Sequence, residues 1–232
     1  MIRKPILALA LLATATLAAC SDDDDDVTGP STSAQVRVVH ASPDAPNVDV
    51  LVDNADALTN VAYKASSTYL EVPSGSRNLK VRATGTSTTV IDQNATLSQG
   101  AFYTVIATGR VASIAPLVLT DDQTSPASGS IRLRLVHAAP AAGAVDIYVT
   151  APTADIATAT PTLTSVAFRA ASNYLEVPAG TYRVRITPAG TKTVAIDVNN
   201  VALTAGQVRT AVAVDAPGGG APLGAILLAD KN

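Results

Sequence analysis

The chain has 232 residues, 47% of them hydrophobic and 15% charged, with a formal net charge of −3. That hydrophobic share excludes disorder for the body of the chain, and the slight negative charge excludes a basic groove, so no nucleic acid is expected as a partner. One Cys and two His exclude an internal disulfide framework and any metal site built on several cysteines, while aromatics at 3%, with no Trp, leave few platforms for stacking on sugars or bases. The chain opens with a positive pair, Arg3 and Lys4, followed by an apolar run from Ile6 to Leu17 and the small residues Ala18 and Ala19. This is the three-part layout of a secretory signal at residues 1–19. The run is too short, and too rich in Ala and Thr, for a membrane span of about 20 residues.

Leu17-Ala18-Ala19-Cys20 resembles a bacterial lipobox. The resemblance implies that Cys20 is lipid-modified, palmitate included, and becomes the first residue of the mature chain. A thioether-linked Cys cannot oxidise or mispair, which accounts for a lone Cys in an oxidising compartment. Two or more acyl chains anchor stably where one binds marginally, so the membrane is a partner through Cys20. Ser21 stands where an Asp resembles an inner-membrane retention signal, which favours the outer membrane. The acidic run Asp22 to Asp26 resembles surface-export signals of some lipoproteins. Both a periplasm-facing and a surface-exposed placement in the cell envelope stay open.

Residues 20–34 read as a lipidated Cys followed by a disordered tether. Five adjacent carboxylates repel one another, and Val27 to Ala34 adds Gly, Pro, Ser and Thr. Without Arg3 and Lys4 the chain holds 14 basic and 19 acidic residues, and without the five tether aspartates the two balance at 14 each. The excess charge is in the tether.

The rest is one unit written twice. Val36-Arg37-Val38-Val39-His40-Ala41-Ser42-Pro43 matches Leu133-Arg134-Leu135-Val136-His137-Ala138-Ala139-Pro140. Val48-Asp49-Val50 matches Val145-Asp146-Ile147, and Tyr69-Leu70-Glu71-Val72-Pro73-Ser74-Gly75 matches Tyr174-Leu175-Glu176-Val177-Pro178-Ala179-Gly180. The offset grows from 97 to 105 between these matches, so the second copy carries an eight-residue insertion, expected within Thr150–Thr162 as a longer surface loop. The polar stretch Asp121–Gly129 marks the boundary. The expected division is a first domain at 35–121, a linker at 122–130 and a second domain at 131–230.

Each copy alternates apolar and polar residues with period two, as in Arg132-Leu133-Arg134-Leu135 and Tyr182-Arg183-Val184-Arg185-Ile186. Turn residues punctuate the runs at Ser42-Pro43-Asp44, Pro73-Ser74-Gly75 and Thr84-Gly85. The predicted class is all-β: two tandem antiparallel β-sandwich domains, immunoglobulin- or transthyretin-like, each of roughly seven to nine strands. Val, Leu, Ile and Ala must build the cores, with Phe102 or Phe168 and one or two Tyr. Leu70 and Leu175 are expected to be buried.

The run Val36–Val50, its counterpart Leu133–Ile147 and the repeated Y-L-E-V-P-[SA]-G resemble the family catalogued as domain of unknown function 4397. Coverage is about 36–120 and 133–229. The resemblance implies secreted or surface β-sandwich domains, often in tandem and on lipoproteins, with no assigned activity. The second copy departs from it at Ala141-Ala142-Gly143, where the first has Asp44-Ala45-Pro46.

Three polar types recur at equivalent positions: His40 and His137, Asp49 and Asp146, Glu71 and Glu176. One His, one Asp and one Glu per copy invite a metal or acid–base reading. The spacing favours structural or ligand-contacting roles instead: each His ends a strand before a turn, with an Asp on the next strand placed to accept from the imidazole. Glu71 alternates with Leu70 and Val72, and cross-strand Glu–Arg pairs on a solvated face are expected with Arg37, Arg134, Lys80, Arg82, Arg183 and Arg185. No nucleophile elbow and no phosphate loop is present. No cofactor, no metal and no enzymatic activity are expected. The leading function is a non-catalytic envelope lipoprotein whose tandem modules display or bind an envelope protein or a polysaccharide. A metal-dependent or hydrolytic module on the repeated His, Asp and Glu is the first alternative, and a structural spacer the second.

Overall fold

The computed structural model describes residues 32–231. The expected signal, Cys20 and Asp22 to Asp26 lie outside the described residues. In the first repeat the strands are β1 (Ser33–Ala41), β2 (Val48–Val52), β3 (Ala55–Val61), β4 (Leu70–Pro73), β5 (Gly75–Ala83), β6 (Thr89–Leu97), β7 (Phe102–Thr108) and β8 (Ala115–Asp121). In the second they are β9 (Ser130–His137), β10 (Val145–Thr150), β11 (Leu163–Val166), β12 (Leu175–Pro178), β13 (Gly180–Pro188), β14 (Ile196–Leu203), β15 (Val208–Val214) and β16 (Gly224–Lys231). Local chemistry sets the hairpins. Asp53 and Asn54 both take positive φ, 49° and 69°, the two-residue turn whose twist matches the flanking strands.

Each repeat forms two four-stranded sheets. The inner sheets have strand order β4-β1-β7-β8 and β12-β9-β15-β16; the outer sheets have β3-β2-β5-β6 and β11-β10-β13-β14. Most pairs are antiparallel, as expected. β1 with β7 and β9 with β15 are parallel instead, with Val38 opposite Val105 and Leu135 opposite Ala211. A parallel pair needs a long crossover, and the chain supplies it by passing through the outer sheet between the two strands.

Within the first sandwich, Val36, Val72, Leu79, Leu97, Tyr103 and Val105 pack together beside a second cluster that includes Val38, Val50, Val81 and Ile91. Ile131, Leu133, Leu135, Val145, Ile147, Ile186, Ile196 and Leu203 fill the second sandwich. Leu70 and Leu175 are only half-buried, contrary to expectation. Leu70 points inward with Val72 but sits on the four-residue edge strand β4, which leaves its side chain partly open. Phe102 and Phe168 are likewise half-buried, and Tyr103 and Tyr148 are the buried aromatics.

A further apolar cluster lies between the repeats. Val39, Ala41 and Ile106 of the first inner sheet meet Val136, Ala138, Val212, Val214, Ile226 and Leu228 of the second. The central strands of the inner sheets are therefore covered on both faces, while edge-strand residues such as Glu71 and Leu227 stay exposed. Alternate residues of β1 serve different cores: Val36 and Val38 face their own sandwich, Arg37 and Val39 face the other repeat.

Candidate functional site

His40 and His137 close β1 and β9 and are 0% exposed. His40 Nε2 lies 3.1 Å from the Pro46 carbonyl oxygen, and its Nδ1 accepts from the Ser42 N–H at 3.3 Å. His137 Nε2 lies 2.6 Å from the Gly143 carbonyl, and Nδ1 accepts from the Ala139 N–H at 3.4 Å. A carbonyl only accepts, so Nε2 carries the proton and each ring is neutral. Both nitrogens are engaged in holding the following turn. Burial lowers both pKa values, and the carbonyl contact opposes it without overcoming it. Tyr63 packs edge-on against His40 at 5.9 Å, and Phe168 against His137 at 6.2 Å.

The structure does not bring the aspartates to the imidazoles. Asp49 Oδ1 accepts from the Asn60 N–H and from the Thr84 hydroxyl, both at 2.8 Å. Asp146 accepts from the N–H groups of Ser165 and Gly190, both at 2.8 Å. Asn60 and Ser165 have positive φ, 56° and 50°, and lie where β3 and β11 carry one residue more than the facing stretches of β2 and β10. Each Asp thus clips a bulge whose left-handed backbone needs an acceptor. The N–H of Asn60 is the main cause of a lowered Asp49 pKa.

The expected Glu–Arg ladders do not form either. Glu71 accepts from the Ser33 hydroxyl at 2.6 Å and Glu176 from the Ala127 N–H at 2.9 Å; both are exposed. Basic residues of the outer sheets pair with Asp instead: Arg77 with Asp53 at 2.9 Å, Lys80 with Asp92 at 3.4 Å, Arg82 with Asp56 at 2.8 Å, and Arg183 with Asp197 at 2.5 Å.

Arg37 and Arg134 leave the solvated face altogether. Each is 3% exposed and lies in the seam between the repeats. Arg37 donates to Asp230 and, at 2.8 Å, to the Ala229 carbonyl, both of the second repeat. Arg134 donates to Asp121 and, at 3.0 Å, to the Thr120 carbonyl of the first. Thr104 takes a bond from Arg37 at 2.7 Å and gives one to Asp121 at 2.6 Å; Thr210 takes 3.0 Å from Arg134 and gives 2.6 Å to Asp230. The Tyr69 hydroxyl completes Asp121 at 2.7 Å and the Tyr174 hydroxyl completes Asp230 at 2.9 Å, with each Arg lying 4.8 Å above its Tyr ring. Burial pushes both phenol pKa values up. Sequence reasoning missed this cluster. The repeated Arg37 and Arg134 and the repeated Tyr69 and Tyr174 were legible, but the carboxylate that each Arg meets lies in the opposite repeat. The rim adds Tyr63, whose hydroxyl donates to the Asp215 carbonyl at 2.7 Å and whose pKa burial raises to about 12, and Arg169, which donates to the Ser113 carbonyl at 2.7 Å.

The outer sheets carry the exposed polar faces. On the first, Asn78 donates to Asp92 at 2.8 Å and to Asn94 at 3.0 Å, and Lys80 donates to Asn54 at 2.8 Å, which continues the ion-paired rows as a flat hydrogen-bonding lattice. On the second, Tyr148 and Arg185 are 1% and 3% exposed. Lys192 lies 4.8 Å over the Tyr148 ring and donates to the Ala159 carbonyl at 2.5 Å, which ties the 150–162 insertion down beside that face. The insertion is a surface loop, as expected, and Lys192 holds it over this face. Among the described residues no group of three or more His, Cys, Asp or Glu is placed to hold a metal ion, and no helix is long and apolar enough to cross a membrane.

The model of a family described as Domain of unknown function (DUF4397) matches residues 34–148 and again residues 149–232. No curated protein matches the chain. Similar solved structures include a family CBM26 module of Amy13K from Eubacterium rectale in complex with maltoheptaose, at 12% identity over 84% of this chain and 96% of that one, with a TM-score of 0.25. A proposed adhesin from Bacteroides ovatus is similar at 12% identity over 85% of this chain and 95% of that one, TM-score 0.26. A proposed cell adhesion protein from Bacteroides fragilis is similar at 10% identity over 84% and 97%, TM-score 0.20. At those scores the likeness says nothing about what this chain binds.

Proposed function

The chain belongs to the family described as domain of unknown function DUF4397, in two tandem copies, and from that premise we propose that it is a non-catalytic lipoprotein of the cell envelope whose paired repeats form one binding or display module. Cys20 carries the lipid and the acidic tract spaces the body from the membrane, with the outer membrane as the site of anchoring. The partner is an envelope protein, with a polysaccharide as the second choice. The observation that carries the reading is the division of faces. One face of each inner sheet is spent on the other repeat, and the outer sheet of the first repeat stays open with a lattice of Asn, Asp, Lys and Arg.

Such a face offers many fixed donors and acceptors and no exposed aromatic ring, which suits a polar protein surface better than a stacked sugar. Both nitrogens of each His and both repeated Asp carboxylates already serve the backbone, and this weighs against a catalytic or metal-binding use. The test is capture of envelope proteins by the natural chain and by one carrying Asn78→Ala, Lys80→Ala and Asp92→Ala. Loss of a specific partner in the triple variant, at unchanged melting temperature, supports the reading. Equal capture by both chains, or turnover in a hydrolase panel that vanishes with His40→Ala, overturns it. Palmitate released from the natural protein but not from Cys20→Ser tests the anchor separately.

A further inference from the structure

The seam has an unusual property: its two faces are versions of one face. Arg37, Tyr69, Thr104 and Asp121 of the first repeat correspond to Arg134, Tyr174, Thr210 and Asp230 of the second, and each set completes the other with the same bonds. The apolar part repeats too, Val39 and Ala41 answering Val136 and Ala138. A contact in which residue i meets j while the equivalent of j meets the equivalent of i is the arrangement of a twofold dimer interface. Here one chain supplies both halves.

We propose that these faces are exchangeable between molecules: β1–β8 of one copy can pack against β9–β16 of a second copy, giving a repeat-swapped dimer with the seam unchanged. Nothing in the seam depends on the two halves sharing a chain. Only eight residues, 122–129, separate β8 from β9. Their contacts sit on the same connection, with Asp122 on Arg132 at 2.6 Å and Lys231 on the Gln123 carbonyl at 3.1 Å. A short tether favours the closed monomer through effective concentration rather than through extra seam bonds. Crowding of copies, or a shorter tether, shifts the balance toward exchange. A swapped dimer would join two anchored copies. That consequence rests on the proposed anchor, whereas the exchange itself does not.

The test uses residues 32–231 in two charge-swapped forms, Arg37→Glu and Asp230→Arg. Alone, each sets like charges against each other in the closed monomer and in any swapped homodimer. In a swapped heterodimer one seam joins Glu at 37 to Arg at 230, and the other keeps the natural Arg37 and Asp230. The expected result on refolding the two together is a 1:1 complex of twice the monomer mass that melts above either chain alone. A mixture that behaves as the sum of its parts overturns the proposal. Because either reversal can prevent folding, the natural sequence lacking Thr124–Ala127 gives a second reading. Light scattering is expected to show a dimer. A monomer at all concentrations, with the seam closed or open, overturns it.

Discussion

Arg37 and Asp230 lie 193 residues apart in sequence and share a buried charge-assisted hydrogen bond. Arg134 and Asp121, 13 residues apart, make its counterpart. Breaking a buried pair by removing one partner strands the other charge and costs about 3–5 kcal/mol. Arg37→Ala and Asp230→Ala are each expected to cost about that much in chemical denaturation. The double variant should cost less than the sum, because neither charge is left alone. Full additivity would show that the two side chains do not meet in solution.

The buried histidines make stability pH-dependent. Both have pKa values lowered from the ordinary 6.5, chiefly by burial. The unfolded chain therefore binds protons that the folded chain refuses, and stability is full above pH 6.5 and falls as pH drops below it. The lowered carboxylates Asp49 and Asp197 add their own loss only in stronger acid, below their ordinary value of 3.8. The melting temperature is expected to fall between pH 7.5 and 5, and His40→Gln with His137→Gln should flatten that slope. An equal slope in the double variant would remove the histidines as its cause.

Packing differs between two leucines of the first sandwich. Leu97 is 1% exposed, and Leu97→Ala is expected to cost about 2–5 kcal/mol. Leu70 is half-buried at an edge, so Leu70→Ala should cost distinctly less. Urea midpoints of the two variants rank them, and the reverse order would place β4 differently.

Gly109 tests the rim. Its φ is +92°, and a Cβ there would stand 2.8 Å from the Arg169 guanidinium and 2.9 Å from the Ser113 carbonyl. Gly85, at φ +75°, has open space around it. Gly109→Ala is expected to destabilise more than Gly85→Ala, since the second carries backbone strain of about 1 kcal/mol without a clash. Equal melting temperatures would mean that Arg169 does not occupy the rim.

The repeat, the β class and the turn positions were legible because they are local: period two, Gly and Pro punctuation, and a copied motif need no third dimension. His40 and His137 were legible as turn-holding residues, since each stands at a strand end beside a Pro-bearing turn. Their supposed bonds to Asp49 and Asp146 were not, because a one-residue bulge in β3 and β11 presents the N–H groups of Asn60 and Ser165 to those carboxylates.

Residue pattern by itself determined that this chain makes two similar β-sandwiches with apolar residues on alternate positions, because that alternation is a property of each strand alone. It could not say whether the second face of β1 meets water or protein. Arg37 at an alternating position reads as solvated, and only the docking of one inner sheet on the other makes it a buried partner of Asp230. That choice belongs to tertiary structure because it depends on a surface completed by residues nearly two hundred positions away, which leave no periodic mark on the strand they cover.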